Sequence, residues 1–315
     1  TLGCENFDHA LPCSMTAHPK VCPTTGELLA FSYFSFEQPF LQYIRVGADG
    51  KLRQLEGIEL PEMVMMHDFN ITENYVIFMD LPLALDLDLL ASGIPFRFKR
   101  DNQARLGVMP RTGSAAHIRW FEINPCYVFH QVNAWEDGDL INLFVSKQDS
   151  AFGADSGDFS EVSRLHRWQI NLATGQVSEE KLDDRPGDFG RVNDNFVGKR
   201  SQFGYLMALD GEGNSEEPVY GPKLYQYDLY NGQCKEHFLG DGTRGAEPVY
   251  APVPGSDAEN DGWVMCLVHS ETSNKSKLII IEADDFSAAP VASIELPYAV
   301  PYGAHGNWIT DTQLT

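Results

Sequence analysis

Four histidines stand far apart in the 315-residue chain, each in a different local setting: His18 in TAHPK, His67 in MMHDF, His130 in YVFHQVNAW and His305 in GAHGNW. Their separations are 49, 63 and 175 residues (67−18, 130−67, 305−130). No zinc-finger or HExxH spacing produces these gaps, so only a tertiary fold can bring the four together. Four neutral imidazoles would form a metal centre with no carboxylate or thiolate ligand. Such a centre keeps the full charge of a divalent ion and can leave positions open for a gas or a substrate.

The elements that must position them read as β throughout. Apolar or alternating runs recur between turn signals: LLAFSYF (28–34), LQYIRV (41–46), YVIFMDL (75–81), HIRWFEI (117–123), two strands within 127–145, then 165–182, 224–239, WVMCLVHS (263–270) and 277–296. In three places a strand ends near Asn171, Asp228 or Glu282, and a tight turn is expected at Thr174–Gly175, Asn231–Gly232 or Asp284–Asp285. The turn glycines lie 57 residues apart (232−175), and Asp285 lies 53 beyond Gly232 (285−232). Several strands per repeat of this length suggest propeller blades, with a sandwich as the alternative. The stretch 81–93 reads as a short helix or a loop, and 148–160 and 210–222 read as surface loops.

Composition narrows the function. The chain is 43% hydrophobic and 22% charged, ordinary for a globular protein with a sizeable core. A net charge of −22 argues against nucleic acid and anionic membranes as partners. No run approaches the roughly 18 apolar residues of a transmembrane helix, and no signal peptide is visible at the N-terminus. The six cysteines form no CxxC motif. They read as free, mostly buried thiols of a cytoplasmic protein, with disulfides in a secreted one as the alternative.

The segments TAHPKVCPTTGELLAFSY, VMMHDFNITENYVIFMDLP, EINPCYVFHQVNAWEDGD and VPYGAHGNW resemble the four iron-binding segments of the carotenoid cleavage oxygenases, a family that includes stilbene- and lignostilbene-cleaving dioxygenases. The resemblance runs from about residue 14 to the end of the chain. It implies an all-β, seven-bladed propeller with a dome of loops and helices over the metal face. It also implies Fe(II) on the propeller axis, held by His18, His67, His130 and His305. The family's acidic residues that hold imidazole N–H groups fall at Glu247, in AEPVYAP, and at Asp188, in RPGDFGRVN. Asp188 stands where the family usually has Glu, so its shorter arm must be offset by backbone position or by water. The family's third such glutamate lies upstream of the first histidine and has no counterpart here. Residues 1–315 are thus expected to be a single propeller domain without the family's N-terminal segment, a fragment of a longer parent. His9, His117, His166, His237 and His269 match no ligand position and read as structural or surface residues.

By the same resemblance the activity is O2-dependent cleavage of a conjugated C=C bond into two carbonyl products. The expected partners are O2 and a small hydrophobic or phenolic alkene of the stilbene type, with no nucleic acid and no transmembrane segment; peripheral membrane contact stays open. Phe129 and Met65, beside the histidines, and Phe69 are candidates for the substrate pocket. The alternatives are a carotenoid or apocarotenoid substrate, a propeller binding module with a structural metal, and an inactive fragment.

Overall fold

The computed structural model describes residues 3, 5–152, 162–210, 219–301 and 303–313. Cys4 and most of the loops expected over 148–160 and 210–222 lie outside the described residues. The described edges of those loops belong largely to strands, since Gln148 ends one strand and Val219 begins another.

The strands form five antiparallel blades. The first contains β1 (Lys20–Val21), β2 (Leu28–Ser32), β3 (Leu41–Val46) and β4 (Leu52–Ile58). The second starts with β5 (Asn70–Ile71) and β6 (Tyr75–Asp80). A small hairpin of β7 (Leu83–Leu85) and β8 (Phe96–Phe98) then intervenes before β9 (Ala104–Pro110) and β10 (Arg119–Ile123) complete the blade. The third blade holds β11 (Tyr127–Asp137), β12 (Leu140–Gln148), β13 (Arg164–Asn171) and the first part of β14 (Val177–Arg191). The rest of β14 opens the fourth blade, with β15 (Phe203–Asp210), β16 (Val219–Asp228) and β17 (Cys234–Phe238). The changeover falls at Pro186 and Gly187. Pro186 is the last β14 residue paired with β13, and Gly187 the first paired with β15. Proline donates no ladder hydrogen bond, which suits a strand leaving one sheet for the next. In the fifth blade β18 (Thr243–Arg244) and β19 (Val249–Pro252) both pair with β20 (Gly262–Ser270), followed by β21 (Lys275–Glu282) and β22 (Ala292–Glu295). Helix among the described residues is confined to four short 3-10 turns. One of them, Leu87–Ser92, settles the 81–93 stretch as strand plus 3-10 turn. It is capped by Asp86, which accepts from Asp88 N, and by left-handed Gly93.

Two of the three expected repeat turns share one geometry. Asn171 N donates to Gln176 O and Gly175 N to Asn171 O; Asp228 N donates to Gln233 O and Gly232 N to Asp228 O. An unforeseen third copy lies at Cys22–Glu27, closed through Gly26. All three glycines have positive φ, from 69° to 78°, where a side chain is disfavoured. The Asp284–Asp285 turn is not of this kind. Residues 283–291 form a longer connection between β21 and β22.

The core lies between blades, so strands bury both faces. Along β6, Val76 and Phe78 pack toward the first blade with Phe31, Phe69 and Met109, while Ile77 and Met79 pack toward the third with Val128, Leu143 and Trp168. Along β15, Tyr205 and Met207 face the fifth blade and Leu206 and Ala208 the third. Each such large apolar side chain contributes about 1.5–3 kcal/mol on burial. The blade interfaces therefore hold the innermost strands, and whatever they carry, in fixed relation.

Candidate metal centre

The opening segment of every blade brings one polar residue to a common point. His18 precedes β1, His67 precedes β5, His130 lies on β11, Asp188 on β14, and Glu247 precedes β19. His305 arrives from the C-terminal segment. One ligand atom from each of the four histidines lies within 4.8 Å of the others. His18 Nε2 and His67 Nε2 are 2.9 Å apart, and the His18 ring centroid is 4.3 Å from that of His305 and 5.1 Å from that of His130.

One carboxylate fixes a tautomer. Asp188 Oδ1 is 3.1 Å from His130 Nδ1. A carboxylate only accepts, so Nδ1 carries the proton and Nε2 presents its lone pair to the cluster. That Nε2 is buried and has no partner among the described residues, an orphan acceptor of the kind a metal ion satisfies. Glu247 Oε2 lies 3.4 Å from His305 Nδ1 and accepts from Gly306 N at 2.7 Å. Asp188 reaches its histidine directly, from a strand whose next residue, Phe189, has φ 58°. That left-handed backbone is strained for an aromatic residue, and it lays the Phe189 ring on His130 at 4.5 Å and 28°.

Burial sets the charge state. Desolvation is the largest influence on His18 and His67, holding them down to about 2 and about 4 against partial opposition from Asp68. Both are neutral at neutral pH, as metal binding requires. Desolvation also opposes charge on His130, but the Asp188 carboxylate and its hydrogen bond outweigh it and raise that group. The donor set thus fits a divalent metal: converging imidazole nitrogens, one of them oriented by the Asp188 carboxylate through the other ring nitrogen and a second with Glu247 at ion-pair distance.

The remaining histidines stand elsewhere. His237 Nδ1 bonds Phe286 O, His117 caps Ser114, His166 sits by Glu179 and His269 by Ser276. Of the residues expected to line a pocket, Phe129 sets its ring 5.6 Å from His67. Met65 lies two residues before His67, its backbone N–H on Leu83 O of the inserted hairpin. Phe69 corrects the expectation. It is fully buried against Phe31 and Phe78 between the first two blades, on the stretch that leads into β5 and outside the strand alternation that would set it on the same side as His67. A cavity of about 510 Å3 adjoins the other side of the centre, lined among others by Glu247, Met265, Leu278, His305 and Trp308. None of the three expected pocket residues reaches it. Sequence reasoning also missed Asp68, Lys20 and Phe189. Asp68 and Lys20 are close in sequence to His67 and His18, but nothing local marks them as partners, and the Phe189 backbone leaves no signal either.

The family profile of the retinal pigment epithelial membrane protein (RPE65) matches residues 1–310. The chain belongs to that family, the carotenoid cleavage oxygenases. It is 38% identical to carotenoid 9,10(9',10')-cleavage dioxygenase 1 of Pisum sativum, across all of this chain and 61% of the relative. It is 32% identical to the carotenoid cleavage oxygenase of Mycobacterium tuberculosis, across 99% of this chain and 71% of that one. The crystal structure of Pseudomonas brassicacearum lignostilbene dioxygenase superposes with a TM-score of 0.88 at 29% identity, covering 98% of this chain and 69% of that one. The fold is therefore the family's seven-bladed propeller, of which the described residues supply five blades. The chain spans about 61% of the length of the plant relatives. No helix among the described residues is long and apolar enough to cross a membrane.

Proposed function

We propose that the chain carries the metal centre of an oxygenase that uses O2 to split a conjugated C=C bond into two carbonyl products, with Fe(II) held by His18, His67, His130 and His305. The observation that carries this reading is the convergence of four imidazoles, with a buried, partnerless Nε2 on His130, in a chain of this family. Bound there, Fe(II) would supply the electron density that activates O2 toward an electron-rich alkene. The protein's share is positioning and dryness. Asp188 accepts a hydrogen bond from Nδ1 of His130, so that ring presents Nε2, and Glu247 lies 3.4 Å from Nδ1 of His305. Phe129 and Phe189 give the centre apolar neighbours that would keep water from the reacting bond. Five free thiols among the described residues suit a reducing compartment such as the cytoplasm.

Two substrate classes are in play. The carotenoid-cleaving names of relatives 36–38% identical favour a polyene. The lignostilbene dioxygenase likeness favours a phenolic stilbene. The test is product analysis by mass spectrometry after incubating the intact protein with an apocarotenal and with resveratrol, under air and under nitrogen. Aldehydes formed only under air support the reading, and the substrate consumed selects the class. Neither substrate cleaved by iron-loaded protein would contradict it.

A further inference from the structure

Asp68 is buried, with 2% of its surface exposed, and no role for it was visible in the sequence. Its Oδ1 accepts from Lys20 Nζ at 2.8 Å and from Phe69 N at 2.8 Å, and its Oδ2 accepts from Gln131 N at 3.0 Å. Each partner stands beside a histidine of the centre. Lys20 follows His18 by two residues, Asp68 directly follows His67, and Gln131 directly follows His130. One carboxylate thus ties together three ligand-bearing segments from three blades.

Two further details support this. The pairing of β11 with β12 shifts register on both sides of Gln131. A bulge of this kind re-aims side chains, and the Gln131 N–H within it goes to Asp68. On the other flank of His18, buried Thr16 donates from Oγ1 to His67 O at 3.2 Å and accepts from His18 N at 3.1 Å. The His18 segment is therefore pinned to His67–Asp68 both two residues before and two residues after the ligand. His305 is held apart from this arrangement, by Glu247.

We infer that the Asp68–Lys20 pair is a positioning node that sets the spacing of His18, His67 and His130, and so the affinity of the centre for a divalent metal; this rests on the four histidines being the metal ligands. A buried carboxylate stripped of its counter-ion does not stay where it was. Losing either partner lets the segments relax by different amounts, and the imidazoles no longer converge. Residues that orient ligands in this way typically change metal affinity about 10–100-fold when removed.

The test titrates Co(II), as a spectroscopic probe, into the metal-free intact protein. Chelator competition gives the affinity, the visible ligand-field bands report geometry, and melting of the metal-free protein gives stability separately. Asp68→Asn and Lys20→Met should each bind about 10–100-fold more weakly, with shifted bands. The double variant should lose little beyond the worse single one, because both remove the same pair. Lys20→Arg keeps the ion pair and should bind like the wild type. If Asp68→Asn does not fold, the contrast between Lys20→Met and Lys20→Arg decides. Wild-type affinity and bands in Lys20→Met would overturn the inference even if its melting temperature falls. His130→Ala in the same titration separates the two readings. If it binds cobalt as tightly as the wild type, the four-histidine assignment has failed and this inference with it. If it loses cobalt while Lys20→Met does not, only the positioning role has failed.

Discussion

Replacing Asp188 with asparagine keeps the side chain's shape and one oxygen for Phe189 N, which donates to Oδ1 at 2.8 Å, but removes the charge that faces His130. The two side chains meet at 3.1 Å and are each 9% exposed, so solvent screens little of the interaction. A hydrogen bond to a charged partner contributes about 1.5–3 kcal/mol. At about 1.4 kcal/mol per factor of ten, metal affinity should fall by about 10–100-fold, the range typical for a carboxylate behind a ligand histidine. Anaerobic Fe(II) competition against a chelator measures it. Stability gives a second readout. His130 is raised above 6.5 in the folded protein, chiefly because Asp188 outweighs desolvation. A raised group stabilises below its unfolded value, and that contribution is lost as pH climbs through the folded value. The metal-free wild type should therefore exceed Asp188→Asn in stability most clearly just below pH 6.5, with the gap shrinking at higher pH. Unchanged Fe(II) affinity together with a pH-independent gap would refute the role given to Asp188.

Three further outcomes follow from the geometry. His18 and His67 are held by burial to about 2 and about 4, below their unfolded 6.5, so the unfolded chain takes up protons first. The metal-free protein should lose up to about 1.4 kcal/mol per pH unit per histidine as pH falls below 6.5; urea unfolding at stepped pH checks this, and flat stability from 6.5 to 4 would contradict it. Phe189 has φ 58°, so Phe189→Gly should be more stable than Phe189→Ala by about 1 kcal/mol, the reverse of the usual order; thermal melts of the two decide it. Phe69→Ala should cost about 3–5 kcal/mol on chemical denaturation while metal stoichiometry stays unchanged. Loss of metal at unchanged stability would return that ring to the pocket.

What the sequence made legible divides along physical lines. Strands with a polar face, such as β13 over Arg164–Asn171, were read correctly because Trp168 and Ile170 alternate with Arg167, Gln169 and Asn171. Two strands buried on both faces went unnamed: β15, an almost continuous apolar run, and β9, which carries Gly107 and ends at Pro110. Burial on both sides erases the period-two signal. The turns at Gly175 and Gly232 were visible because glycine at positive φ has a composition, whereas the connection after Glu282 closes without one. The four histidines, which the fold brings within 4.8 Å of one another, were singled out through segments conforming to a known family and not through spacing, since gaps of up to 175 residues carry no local geometry. Asp68 was invisible for the opposite reason: its meaning lies in three bonds to three separate segments. The pocket was read least well. Phe69 lies two residues after His67, yet it sits ahead of β5 and packs into the interblade core with Phe31 and Phe78.

The most direct test of the central claim is metal content, measured by mass spectrometry on the intact wild-type protein, His130→Ala and His237→Ala purified side by side. His237 is buried like His130, but its Nδ1 bonds Phe286 O at 2.9 Å, away from the centre. The expected result is about one iron per chain in the wild type and in His237→Ala, and none in His130→Ala, since removing a ligand empties the site. Equal iron in the two variants would contradict the assignment of the four-histidine centre.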